Sequence, residues 1–124
     1  MTAPNMLALN SITGSNAILN LSVNTEVQLL SNGAASSQLY KVNCIFVSNV
    51  DGTNPFTITL KYYPAAALGG TATVIASTVS IPANSTIILL DKDAHLYMPE
   101  NTSLGVTAST GNKLDVTCTY EICA

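Results

Sequence analysis

Apolar residues recur at every second position along most of the chain. The last segment is the clearest: Leu114, Val116, Cys118, Tyr120 and Ile122 alternate with Asp115, Thr117, Thr119 and Glu121. A period of two puts the first set on one face of a strand and the second set on the other. Phe56, Ile58, Leu60 and Tyr62 alternate in the same way with Thr57, Thr59 and Lys61, and Pro55 suits the first position of that strand. Residues 18–31 predict one or two strands, and residues 72–81 and 85–90 one each. A short edge strand falls at residues 95–98 and another strand at 103–109. Asn32-Gly33, Gly69-Gly70, Pro82 to Asn84 and Thr110 to Asn112 punctuate these runs as turns. No window carries a useful amphipathic helical stripe. About eight strands with short turns predict an all-β fold, a single-domain antiparallel β-sandwich or jelly-roll-like barrel. The pattern leaves the strand order open between meander, Greek key and jelly roll. Residues 1–17 read as an N-terminal arm or lead-in segment, and residues 18–124 as the sandwich domain.

Residues 40–63, YKVNCIFVSNVDGTNPFTITLKYY, break the simple alternation. Tyr40, Val42, Cys44 and Phe46 share one phase, yet Ile45 and Val47 make the opposite phase apolar too. A strand apolar on both faces predicts a cover on both, by a second layer or a partner. Ile45 and Val47 are therefore candidate interface residues. Asp51-Gly52 then predicts a tight hairpin turn, because both residues tolerate positive φ. Asp51, Gly52 and Asn54 are accordingly read as a structural corner that sets strand register.

Composition changes the picture of the surface. Of 124 residues 48% are apolar and only 9% are charged, against about 25% charged in an ordinary soluble domain. The polar surface is built from Ser, Thr and Asn, which is cheap to desolvate in an assembly. Four lysines, no arginine and a net charge of −3 give no basic patch for phosphates or anionic lipid, so no nucleic acid and no membrane partner is expected. The first residues lack the basic and apolar regions of a signal peptide, and the Asn-x-Ser/Thr triplets at Asn20, Asn84 and Asn101 carry little meaning without one. Cys44, Cys118 and Cys123 are odd in number, which argues against a disulfide framework. Cys44 and Cys118 are expected inside, and Cys123 exposed.

Candidate chemistry is sparse. His95 is the single imidazole and would have to serve as the base of any Ser-His-Asp arrangement, but no G-x-S-x-G elbow accompanies it. No cysteine has a base beside it in sequence to lower its pKa. Three cysteines and His95 lack the short C-x-x-C pair of a zinc site, and Asp51, Asp91 and Asp93 lack the ligand spacing of a calcium loop. Asp91 and Asp93 are read as a structural corner. No catalytic residue, metal or cofactor is expected. Tyr63, out of phase beside Tyr62, and Tyr97 are candidate exposed interface aromatics.

Four segments carry a resemblance: Lys41 to Asn43 (KVN), Ser48 to Asn54 (SNVDGTN), Ile81 to Thr86 (IPANST) and Asp91 to Asp93 (DKD). Over residues 38–122 the chain resembles a family of small structural proteins of tailed bacteriophages, especially those of cyanobacteria. The resemblance implies a non-enzymatic virion component, best matched by capsid decoration or cement proteins. Such a protein would bind and stabilise the major capsid protein at the capsid surface, often as a trimer, after assembly in the host cytoplasm. The arm would then clasp the shell or a sister subunit. A neck, tail or fibre-associated protein, or a carbohydrate-binding host-attachment module, are the alternatives. Cys44 and Pro55 depart from the family pattern without disturbing a β reading.

Overall fold

The computed structural model describes residues 5–124. Its strands are β1 (Ile12–Leu21), β2 (Val27–Asn32), β3 (Leu39–Asn49), β4 (Phe56–Tyr63), β5 (Thr73–Ile81), β6 (Thr86–Leu90), β7 (Leu96–Met98), β8 (Thr102–Ala108) and β9 (Leu114–Cys123). One turn of 3-10 helix, Lys92–Ala94, lies between β6 and β7. One sheet has the order β1-β9-β3-β6, with β7 also paired to β3; the other has the order β2-β8-β4-β5. All pairs are antiparallel. The chain crosses between sheets at most connections, and β4 and β5 are the consecutive strands that pair directly. This is jelly-roll connectivity, so the predicted all-β sandwich is the fold and the open strand order resolves to the jelly roll.

The core lies between the sheets, where the inward phases of both meet. Ile45, Val47, Ile58, Leu60, Leu104 and Val116 have no solvent exposure. Burial of such side chains is the main favourable term in the fold.

The double-faced run in β3 has a local cause. The β3–β9 register shifts between Val42 and Cys44. A bulge inserts one residue and moves every later side chain to the other phase. Val42, Ile45 and Val47 therefore all point into the core, while Cys44 and Phe46 stand opposite Thr119 and Thr117 on the outer face. Ile45 and Val47 are thus core residues of this chain, which corrects their reading as interface residues: their cover is the second sheet.

The first strand also begins earlier than the pattern predicts. Residues 12–17, assigned to the lead-in, form the first half of β1 and pair with residues 118–123 of β9. Residues 5–11 hold a turn and then join the β1–β9 end, where Asn10 and Ser11 both donate backbone N–H groups to the Ala124 carbonyl. Residues 1–4 of the expected arm lie outside the described residues. Asn16 and Gly14 weaken the strand signal in this segment, and strand propensity there is overridden by pairing with β9.

A core role for Ile45 has a measurable consequence. Ile45→Ala should cost about 2–5 kcal/mol in urea unfolding. Ile88→Ala, at a side chain 59% exposed, should stay within about 0.5 kcal/mol. Equal losses at the two positions would contradict this placement.

Candidate functional site

Asp51 sits where the chain leaves β3 in one sheet for β4 in the other, so it is not the tip of a two-residue hairpin. Neither Asp51 nor Gly52 has positive φ. The corner is instead made by side chains. Asp51 Oδ1 accepts the backbone N–H groups of Thr53 at 2.7 Å and Asn54 at 2.9 Å. Lys113 Nζ lies 3.3 Å from Asp51 Oδ2, and the Asp51 carbonyl accepts the Asn84 N–H. The hydrogen bonds from Asn54 and Thr53, followed by Lys113, hold the carboxyl below its ordinary value. These are the contacts of a cap on a turn, with no second carboxylate or imidazole among them.

Behind Asp51 stands Asn49, which is 3% exposed. Its amide donates to the carbonyls of Asn54 and Ile81, both at 2.9 Å, and its Oδ1 accepts the Asp51 N–H. Ile81 ends β5 in the opposite sheet, so Asn49 ties the sheets together at this end. Asn32 does the same at the other end of β3. It is fully buried, and its amide donates to the carbonyls of Gln38 and Met98 while Oδ1 accepts from Ser36 Oγ. Asn49 did not stand out in the sequence, and Asn32, read as a turn residue with Gly33, is instead the buried last residue of β2. The available signal was an Asn in the inward phase at the end of a strand.

Tyr63 is only 8% exposed, contrary to the expectation of a surface aromatic. It does point to the outer face of its sheet. There its hydroxyl donates to both Glu26 carboxylate oxygens, at 2.6 and 2.8 Å, and that bond raises the phenol pKa above 10.0. Residues 64–70 fold back over the same face, where Ala67 N–H reaches Ser31 Oγ and Leu68 N–H reaches Ser103 Oγ. Gly105 makes room for this cover: a Cβ there would stand 2.6 Å from Glu26 Oε2 and 3.0 Å from Leu68 Cδ2.

Tyr97 is exposed, on the β7 edge, with its ring 5.2 Å from that of His95 in an edge-on contact. Asp91 caps the 3-10 turn by accepting the Asp93 and Ala94 N–H groups, and Asp93 faces solvent. The two carboxylates are therefore brought into a corner and not into a shared site. Both oxygens of Glu100 are enclosed without a hydrogen-bond partner among the described residues. No three of His, Cys, Asp and Glu converge among the described residues. Cys118 is inside as expected, whereas Cys44 and Cys123 depart from expectation. Cys44 is half-buried on the outer phase, Cys118 is buried with its thiol pushed up to about 12 by burial and then by Cys44, and Cys123 is buried, all three free. The bulge accounts for Cys44.

Among the described residues, no loop hydrogen-bonds back over the outer face of the β1-β9-β3-β6 sheet as residues 64–70 do over Tyr63. One row across it runs Ile18, Thr117, Phe46, Ile88, by the pairing of β1 with β9, β9 with β3 and β3 with β6. Ile18 is 65% and Ile88 59% exposed. A second row carries Gly14, Glu121, Lys41 and Tyr97. Lys41 and Glu121 lie side by side in this row and Asp115, on the same face, accepts from the Asn20 amide, so the face is sparsely charged and presents aliphatic and aromatic surface between these groups.

No protein-family model matches the chain, and no curated protein does. Among solved structures, a chain of an infectious bursal disease virus particle is similar to 94% of this chain, with a TM-score of 0.54 and 8% identity. A chain of the Gx strain of that virus gives a TM-score of 0.51 at 8% identity over the same share. This chain spans about a third of the length of those chains, at 32% in each. A subunit of the disulfide-linked pili of Bacillus endospores matches over 99% of this chain and 98% of its own, with a TM-score of 0.49 and 13% identity. The protein thus has a fold shared with a structural chain of an icosahedral virus particle. No described helix is long and apolar enough to cross a membrane.

The Asp51 corner predicts a particular acid dependence. A carboxyl with a native pKa below its unfolded value stabilises the fold in full above the unfolded value of 3.8. That contribution is lost as pH falls through the lower native value. Asp51→Asn keeps an oxygen for the two N–H groups but removes the charge. Its deficit in melting temperature relative to wild type should be steady from about pH 7 to 5 and should shrink below about pH 4. A deficit that grew in acid would contradict the assignment.

Proposed function

We propose that the protein is a non-enzymatic virion component, a capsid decoration protein that binds the major capsid protein at the shell surface. The observation that carries this reading is the sparsely charged outer face of the β1-β9-β3-β6 sheet. Ile88 and Tyr97 stand exposed there at the β6/β7 edge, Ile88 beside the half-buried Phe46 and Tyr97 beside Lys41. Interface centres are depleted in charge and enriched in aromatic side chains, and this face has that character. A jelly roll tied at both ends offers such a surface without the entropy cost of ordering it on binding. The shared fold with an icosahedral virus particle chain agrees with the reading at the level of fold, as does the resemblance to tailed-phage structural proteins. The protein would act by area buried against shell subunits, in the virion, after assembly in the host cytoplasm.

Tyr97 also favours a second reading. An exposed ring beside Lys41 and Glu121 has the elements of a sugar platform with polar flanks, which suits attachment to host glycans.

Purified virions decide between these readings. Decoration predicts copies on the order of hundreds per particle, as a shell-wide component under icosahedral symmetry requires. Ile88→Lys should lower occupancy on shells by about tenfold or more, the effect of about 1.4 kcal/mol at an interface. A few copies confined to neck or tail would overturn decoration. Glycan-array binding lost in Tyr97→Ala, with no shell binding, would establish the second reading instead.

A further inference from the structure

The free edge of β1 differs from the other sheet edges. β1 is ten residues long, ITGSNAILNL, and contains no charge and no proline. Its pairing with β9 runs from Ile12↔Cys123 to Leu21↔Leu114 without a register shift. The other edges are blunted in ways that discourage further pairing. β2 carries a register shift at Gln28/Leu30. β5 has two shifts against β4 and a residue of positive φ at Thr78. β6 has only five residues and ends at the charged corner Asp91 to Asp93.

The hydrogen-bond phase of β1 is fixed by its first rung. Ser11 and Ala124 exchange both backbone hydrogen bonds, each at 3.0 Å. In an antiparallel ladder such pairs alternate, so the odd-numbered residues of β1 face β9. The N–H and C=O groups of Ile12, Gly14, Asn16, Ile18 and Asn20 then point away from it. Among the described residues no strand pairs with β1 on that side. The side chains of these same residues lie on the outer face, with Ile12 60% and Ile18 65% exposed.

We propose that the free edge of β1 pairs antiparallel with β1 of a second copy of this chain, about a two-fold axis at Ser15. Ile12 and Ile18 are equally spaced on either side of Ser15. The axis therefore sets Ile12 of each copy opposite Ile18 of the other, with Gly14 opposite Asn16 between them. All of these are outward-bonding residues, so each rung exchanges two hydrogen bonds. Cross-strand aliphatic pairs stabilise such a ladder and fix its register, since a slip of two residues would unpair the isoleucines. With no charge on β1, two copies meet without like-charge repulsion. A two-fold interface is self-complementary and closes on itself, which limits the assembly to two chains. The resemblance to phage decoration proteins implied three. This inference is independent of shell binding, which rests on the opposite edge of the sheet at Ile88 and Tyr97.

Light scattering on the full chain tests it, at about 100 µM, a concentration suited to a small interface. Wild type should have twice the 12.9 kDa chain mass. Asn16→Pro removes an N–H that only the second copy would use, and edge strands tolerate proline at such positions. This variant and Ile18→Lys should each have half the wild-type mass while keeping a cooperative melt. Amide exchange at Ile12, Gly14, Asn16 and Ile18 should be slower by tenfold or more in wild type than in Ile18→Lys. Because Ile18→Lys leaves the backbone intact, it keeps the test decisive should Asn16→Pro fail to fold. A wild-type mass of one or three chains would overturn the proposal. So would a two-chain mass unchanged in Ile18→Lys, or exchange protection that appeared along β6 instead of β1.

Discussion

Two buried asparagines, Asn32 at the end of β2 and Asn49 at the end of β3, tie one sheet of the sandwich to the other. Hydrophobic packing between two sheets is strong but non-directional, and it does not by itself fix how one sheet lies over the other. A primary amide does, because it has two donors and an acceptor held in one plane. Asn32 spends both donors on the carbonyls of Gln38 and Met98, and Asn49 on those of Asn54 and Ile81. Each crossing between sheets interrupts the ladder, and the backbone groups there would otherwise be enclosed without partners. The two side chains replace the missing ladder bonds at the points where the chain changes layer. Asp51 then completes the second corner from outside by accepting two further N–H groups.

Once the ends are fixed, the two outer faces have different fates. On the β2-β8-β4-β5 face, the part around Tyr63 is covered from within by residues 64–70 and Glu26, while the β5 side stays exposed. The other face keeps Ile18, Phe46, Ile88 and Tyr97 in rows dictated by the register of four strands. The chain thus internalises the aromatic part of one outer face and leaves the aliphatic and aromatic rows of the other exposed. The near absence of charge fits this division, since a surface of Ser, Thr and Asn is inexpensive to desolvate, while a charged one costs several kcal/mol per buried ion.

Where the period of two ran undisturbed, in β4, β8 and β9, the strand positions and their inward faces were legible in the sequence. What hid the rest was local. A single inserted residue near Asn43 reversed the phase of β3, so Ile45 and Val47 read as a second apolar face and Cys44 as a core residue. Tyr63 is outward by phase, as the alternation implies, yet buried, because a non-periodic Ala- and Gly-rich loop returns over it. Gly105, unremarked in the strand pattern, is what permits that cover. Asp51-Gly52 has the composition of a hairpin turn, but the Asn49 and Asp51 side chains supply the bonds of a sheet-to-sheet crossing. Strand order was not legible at all, since jelly-roll pairing joins residues as distant as Ile12 and Cys123. The polar pattern of β1 conveyed little strand signal for the same reason: its partner lies at the other end of the chain.

The asparagine amides hold the two layers in register and so shape the exposed face. Urea unfolding of Asn49→Ala tests this most directly, with Asn54→Ala as the control, because Asn54 contributes backbone groups to the corner. Loss of the Asn49 amide strands two carbonyls and one N–H, at about 1–3 kcal/mol for each enclosed group. Asn49→Ala should lose about 3 kcal/mol or more and Asn54→Ala less than about 1 kcal/mol. Equal, small losses in the two variants would contradict it.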